Sequence, residues 1–488
     1  MNEKIKKVEK IIAKHDELFF VLVFLLMISG YALDIETVVG DEVWNFQHIY
    51  KMYNGYKIYI DANVITTPLF HIIGVVFFKL LGANFLIFRV YNIFICLMMF
   101  LGVYKIFKTL NIGKRKSWLY TTFIFIVENK IINTCANYNT LAITFCLYGI
   151  LIILNKNKLK NYILLESIFI TLIILTKQNI GAFYCTGYVI YTCLTKKEIK
   201  NTLKIVGITG VFLTIFVFIL YFNRILEGFI SYVILGLKEF SSRNIYVDVG
   251  YVLYMVFFTL VNSLALIFLK YKHKCKNGEQ QKNIKILASF SFILILISYP
   301  IFNEAHIEYG ILIEYILFLY IVNIIFSNVR IKREIIEDFI LIVMSIYSIN
   351  SIRYIINYNK SIIDDEFDVN SIYFGTLFSE EDKNKIRKVT KFIQDSDKDV
   401  IDISSDAAIY MLPLKKNNGV FDLLLLGNLG KDGEEGIVNK IEKMENKIIL
   451  VPKEKSSWQN SDSVIEFVKN NFEYIGKIED LFIYETVE

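Results

Sequence analysis

The sequence predicts a multi-pass α-helical membrane protein of about 11 spans, with a C-terminal extracytoplasmic α/β domain. Three observations predict it. The chain has 488 residues, 55% of them hydrophobic, and a mean hydropathy of +0.46. Apolar runs long enough to cross a bilayer recur, among them Ile205–Phe222, Tyr251–Leu269 and Ile335–Ile352. Hydrocarbon offers no hydrogen bonds to the backbone, so such runs must be helices. Finally, Lys and Arg gather in the short gaps between runs: Lys4–Lys14, Lys105–Lys116, Lys156–Lys160, Lys196–Lys200, Lys270–Lys285 and Arg330–Arg333. That is the placement of topogenic charge rather than of a nucleic-acid surface, and no nucleic-acid partner is expected.

The lysines before the first apolar run, Leu18–Tyr31, put the N-terminus in the cytoplasm. No small-x-small cleavage site precedes Asp34, so this run reads as an uncleaved first helix. Asp34–Thr66 then becomes an outer loop. Two apolar stretches follow, Pro68–Leu81 and Phe85–Lys105. The first has about 14 residues, against the roughly 20 that span a bilayer, and reads as a helix lying in the outer interface.

With that assignment the later spans fall at Ser117–Glu128, Thr140–Leu154, Tyr162–Thr176, Ile180–Leu194, Thr202–Phe222, Tyr251–Leu269, Ile284–Ser298, Tyr309–Phe326 and Ile335–Ile352. Leaving out residues 353–488 and the interfacial Lys79, about 25 Lys and Arg then lie on the inner side and about 7 on the outer. The membrane domain is residues 1–352, and 353–488 form an extracytoplasmic domain. In the latter, Val400–Ser404, Phe421–Leu426 and Lys447–Val451 read as buried strands, and Glu434–Met444 and Ser463–Asn471 as helices.

The cysteines show neither metal-ligand spacing nor a disulfide framework and read as small apolar packers, with Cys275 in a reducing cytoplasm. The glycines around Gly427, Gly430 and Gly433 lack both phosphate-loop and dinucleotide spacing, and read as a turn. Glu314 lies inside an apolar run, where an acid is a functional candidate or a helix-to-helix hydrogen-bond acceptor.

The strongest polar signal is Asp41-Glu42. It follows the first helix closely, beside Trp44, Phe46 and Tyr50. Partial burial there suits a carboxylate to act as general base.

The run Gly40–Trp44 (GDEVW), then Asn54–Asp61 (NGYKIYID), Thr67–Phe70 (TPLF), Leu80–Asn84 (LLGAN) and Arg89 resembles the start of the GT-C membrane glycosyltransferases. The likeness is greatest to the protein O-mannosyltransferase and lipid A aminoarabinose transferase group. It covers about Asp34–Asn155 in detail and the rest by hydropathy. It implies a GT-C fold and inverting transfer of a sugar from a polyprenyl-phosphate donor, on the outer face, to an envelope glycan, lipid or protein. It implies Asp41 as base and Glu42 as an acceptor-binding or supporting residue.

Two positions depart from the group. Thr66 and Thr67 stand where the aminoarabinose enzymes have a Lys before the proline. Asn137-Tyr138-Asn139 stand where the group often has an Asp in its second outer loop. Asn cannot act as a base. No cofactor is predicted, and the sequence leaves a divalent metal open.

A lipid phosphate needs cations at the outer leaflet. Candidate substrate-binding residues are Lys177 and His306 in short outer loops, Arg89, Asn137 and Asn139, and Arg224 and Arg243 in the outer loop Asn223–Gly250. The alternatives are a flippase for lipid-linked sugars, which would favour matched broken helices, and a non-catalytic envelope assembly protein.

Overall fold

The computed structural model describes residues 16–33, 40–127, 135–195, 199–236, 246–271, 278–299, 301–325, 343, 346–357, 371–376, 378–425, 427–456 and 461–486. Arg243, Cys275 and most of Ile335–Ile352 lie outside these residues.

Helix α1 spans Asp16–Leu33 and α2 spans Gly40–Tyr53. The expected outer loop therefore contains a helix, and Asp41 and Glu42 occupy its first turn. Acids suit that place, because the free backbone N–H groups and the helix dipole favour negative charge. A run of turns leads to α3, Leu69–Leu81. Then come α4 (Phe85–Thr109), α5 (Lys114–Val127), α6 (Tyr138–Leu154), α7 (Tyr162–Thr176), α8 (Gln178–Thr195) and α9 (Ile199–Phe222). Asn84 and Asn137 cap α4 and α6 by accepting from the third backbone N–H beyond them.

The segment after α9 holds a short helix α10, Leu226–Phe229, which runs into a π-turn at Ile230–Leu235. A two-residue strand β1 (Tyr246–Val247) precedes α11 (Val249–Tyr271) and α12 (Gly278–Leu294). β1 pairs in parallel with β2 (Ile301–Phe302), which leads into α13, Glu304–Ile325. One further helix covers residues 346–357.

Among the described residues, five helices have the length and apolarity to cross a bilayer: Phe85–Thr109, Ile199–Phe222, Val249–Lys270, Gly278–Ser298 and His306–Ile325. The remaining expected spans are shorter apolar helices or fall partly outside the described residues. The core of the bundle joins α1, α4, α6, α8, α12 and α13 through Phe24, Phe100, Leu147, Tyr184, Phe290 and Tyr315. In contrast, α9 and α11 leave most of their apolar surface outward, with only 17% and 11% of their central windows buried. Glu314 on α13 accepts from the Thr259 hydroxyl on α11 at 3.1 Å, so it serves as a helix-to-helix acceptor.

After α14 (Glu380–Asp395) the chain builds a four-stranded sheet in the order β3-β4-β6-β5. β3 (Asp399–Asp402) runs parallel to β4 (Lys447–Pro452), while β5 (Glu473–Ile478) and β6 (Leu481–Glu485) complete it antiparallel. Helices α15 (Ala407–Met411), α16 (Gly433–Glu442) and α17 (Asp462–Asn471) lie between the strands in sequence.

Phe421–Leu426 is not the expected strand. Phe421 ends a 3-10 turn, and Leu423 takes a left-handed φ of 47°, which a strand cannot accommodate. Leu423 and Leu424 are buried all the same, and Leu424 packs with Ile449 and Val451 of β4. The glycine-rich turn is buried rather than superficial, with Gly430 against Ser231 and Tyr232 of the π-turn.

The sheet unit is not a separate ball on a tether. One apolar cluster runs from Phe46, Phe85 and Phe88 to Val389, Tyr410, Leu450 and Ile483. A second runs from Ile58, Tyr59 and Val64 to Leu424, Ile449 and Val451. A strap at 371–376 completes the join: Phe85 and Leu86 donate backbone hydrogen bonds to the carbonyls of Ile372 and Phe374, at 3.0 and 2.9 Å.

Gly375 in this strap has φ +96°, and an added Cβ would meet Leu86 at 2.7 Å. Both effects oppose any side chain. Gly375→Ala is expected to cost about 2 kcal/mol or more, seen as a lower thermal midpoint in detergent. A conservative change at the exposed Lys388 would leave the midpoint in place.

Candidate active site

Helix α2 has almost no free face. From Glu42 to Lys51 every residue is buried. Its aromatic side chains supply the packing: Phe46 stacks on Phe85 at 3.9 Å, and Trp44 meets His48 edge-on at 4.3 Å. Such a helix can hold its first turn in a fixed place.

In that turn the two acids part company. Glu42 is fully buried and receives Arg89 of α4 twice, Nε to Oε1 at 2.9 Å and Nη2 to Oε2 at 3.2 Å. Arg89 is also fully buried and donates from Nη1 to the Gly375 carbonyl at 2.7 Å. Arg89, expected to bind substrate, is thus committed to Glu42 and to the strap. Both carboxylate oxygens of Glu42 are engaged by the guanidinium.

Asp41 keeps its carboxylate open to solvent, unlike its neighbour. Protein nevertheless surrounds it closely, as at the floor of a recess. The resulting loss of hydration raises its pKa above the ordinary aspartate value, against the pull of the helix N-terminus.

Opposite lies the start of α6. Tyr138 is within electrostatic reach of both Asp41 and Tyr309. Lys177, at the junction of α7 and α8, donates to the Asn139 side chain and sits 5.0 Å from the centre of the Tyr138 ring. Burial pushes the Lys177 ammonium down to about 8. Asn137 caps α6 and donates to the Tyr309 hydroxyl at 3.0 Å. One helical turn before Tyr309 comes His306, whose ring nitrogen Nδ1 lies 2.7 Å from the Asn303 side-chain oxygen.

Six residues singled out in the sequence, Asp41, Asn137, Asn139, Lys177, His306 and the Glu42 behind Asp41, therefore converge at one end of the bundle. Arg224 does not line this recess. It lines an open groove of about 710 Å³ with Tyr221, Phe222, Ile230 and Lys431.

Tyr138 and Tyr309 are contributors that sequence reasoning passed over. Tyr138 stood between two residues already chosen, but nothing in the sequence linked Tyr309 to Asn137. Among the described residues, no three His, Cys, Asp or Glu side chains gather where they could hold a metal.

Chemically the recess offers an acceptor of protons and, around Tyr138, an ammonium group with hydroxyl and amide donors. The Glu42–Arg89 pair ties the backbone next to Asp41 to α4. Arg89→Met leaves a buried, uncompensated carboxylate and is expected to cost about 3–5 kcal/mol. Glu42→Leu combined with Arg89→Met should recover much of that loss. A double-mutant cycle on thermal stability checks it.

No family model and no curated protein matches the sequence. Solved structures do. ArnT from Cupriavidus metallidurans, bound to undecaprenyl phosphate, aligns over 97% of this chain and 98% of its own, at TM-score 0.57 and 10% identity. The Archaeoglobus fulgidus oligosaccharyltransferase, in complex with Zn and sulfate, aligns over 96% of this chain and 73% of its own, at TM-score 0.51 and 12% identity. The same organism's oligosaccharyltransferase AglB, with an inhibitory peptide and a dolichol-phosphate, aligns over 97% and 75%, at 0.50 and 10%. At these identities the likeness is one of fold, and over nearly its whole length this chain has the GT-C fold.

Proposed function

We propose that this chain is an integral-membrane glycosyltransferase that moves a sugar from a polyprenyl-phosphate donor to an envelope acceptor on the outer face of the membrane. The observation that carries the proposal is that Tyr138 lies within electrostatic reach of an exposed carboxylate, Asp41, and 5.0 Å from the half-buried ammonium of Lys177. The fold supports it, because ArnT holds undecaprenyl phosphate and AglB a dolichol-phosphate. In this reading the N-terminus is cytoplasmic, and the recess and the sheet unit are extracytoplasmic.

Asp41 takes the proton from the acceptor's hydroxyl or amine. The freed lone pair attacks the anomeric carbon on the face opposite the phosphate. The bond from that carbon to the phosphate oxygen breaks, and its electrons leave on the lipid phosphate. Configuration inverts, because a single displacement occurs. Lys177 meets the developing charge, with the Asn139 amide and Tyr138 beside it. His306 and Asn137 border the same region through Tyr309 and serve to orient the sugar or phosphate. The raised pKa of Asp41 helps, because a stronger conjugate base takes a proton more readily near neutral pH.

Transfer of radiolabelled sugar from a panel of polyprenyl-phosphate donors tests this with purified protein. Asp41→Asn is expected to lower kcat by about 10²–10⁴-fold while leaving donor binding in place. Equal turnover by both proteins would remove Asp41 from the mechanism. Lipid binding and exchange between leaflets without transfer would favour a flippase.

The pH profile gives an independent check. Turnover should rise as Asp41 loses its proton, at a pH above the usual aspartate range. Donor KM should rise as Lys177 loses its proton near pH 8. In Lys177→Met the upper limb should disappear and KM should be high throughout.

A further inference from the structure

We propose that the C-terminal sheet unit is a working part of the recess, and that Lys51 and Asp422 are positioning residues for the Asp41 helix. The catalytic half of this proposal rests on the reading of Asp41 as base.

The Lys51 side chain, near the C-terminal end of α2, is 3% exposed, and it pairs with the Asp422 carboxylate, 2% exposed, from the sheet unit. The same ammonium donates to the Gly419 carbonyl at 3.3 Å. The Asp422 backbone carbonyl accepts from the Asn63 amide at 2.7 Å, and Asn63 is fully buried. Helix α2, the turn segment that follows it and the loop at 419–422 are thereby joined at one buried point.

The other end of α2 is held through Glu42, Arg89 and the Gly375 carbonyl. Thus both ends of the helix that bears Asp41 are referred to residues of the C-terminal segment. The two anchors lie nine residues apart along one helix, about 13.5 Å at 1.5 Å per residue.

Apolar packing holds α2 to the sheet unit, and the buried charge pair adds a contact that any slide of the helix would break. Displacing Lys51 from Asp422 strands two charges in a medium of low dielectric. The pair therefore specifies where α2 sits along its axis, and with it where Asp41 enters the recess. Displacements of about 1 Å at a reacting group can cost about 10²-fold in rate, so the contact bears on turnover more than on affinity.

The test uses the full chain in lipid nanodiscs. Lys51→Met, Asp422→Asn and the exchanged pair Lys51→Asp with Asp422→Lys are compared with wild type and Asp41→Asn. Two quantities are read: amide hydrogen exchange of peptides within 40–53 against peptides within 138–195, and kcat against donor KM. The single variants should exchange at least about tenfold faster in 40–53 and unchanged in 138–195. Their kcat should fall by about tenfold or more with KM within about twofold. The exchanged pair should recover part of both.

Unchanged exchange in 40–53 would overturn the proposal, and so would faster exchange with unchanged kcat, since the pair would then be only a structural contact. If Lys51→Met does not fold, Lys51→Arg and Asp422→Glu carry the same comparison. Should Asp41→Asn turn over like wild type, the reading of Asp41 fails and the catalytic half falls with it. The exchange data need no turnover and still decide the mechanical half.

Discussion

A carboxylate and a guanidinium without access to water govern this end of the molecule. Glu42 and Arg89 cannot separate without leaving a charge stranded in protein. Their bidentate geometry leaves little freedom of angle. The carboxylate lies one residue beyond Asp41, and the guanidinium is held in turn by the Gly375 carbonyl. Helix α2, helix α4 and the C-terminal strap are therefore one mechanical unit. The neighbouring acids differ in surroundings. Glu42 is buried against a guanidinium, and Asp41 is exposed.

Much of the architecture was legible because hydropathy reports it directly. The helix expected at Pro68–Leu81 forms at Leu69–Leu81, and the described runs between it and Ile325 become helices close to their expected bounds. β4 was legible as a short continuous apolar run, the signature of a strand covered on both faces, and β3 from its β-branched Val400 and Ile401. Phe421–Leu426 has the same signature without the structure, since a buried loop and a buried strand are equally apolar. Edge strand β5 went unread because its residues are mostly exposed and Glu473, Gly476 and Lys477 interrupt its apolar ones. Helix α14 went unread for a related reason: only Ile386, Val389 and Ile393 turn inward along a charged segment.

The site divides along the same line. Asp41 and Lys177 stood out because a charge beside an apolar run is costly and visible. Their partners were not visible, since the pairings that matter span long stretches of chain. Glu42 finds Arg89 across 47 residues, and Lys51 finds Asp422 across 371. Arg89 was noticed for its charge but not for its contact with Glu42, since a sequence shows that a guanidinium is present but not which carboxylate it meets. Lys51 attracted no attention at all. In a segment read as a loop it passed for a solvated lysine, and only the helix reveals that it lies on a face with no water.

Helices α9 and α11 carry a different kind of consequence. Both are long and apolar, and both leave most of their surface outside the protein core. Their neighbours on that side are acyl chains. Dispersion contacts to lipid thus stand in for the side-chain packing that other helices enjoy, and those contacts change with chain length, saturation and temperature. The segment between them holds the π-turn on which the glycine-rich turn of the sheet unit rests. The physical state of the bilayer thereby bears on the part of the molecule that contacts the sheet unit, and membrane composition becomes a variable of its structure as much as of its surroundings.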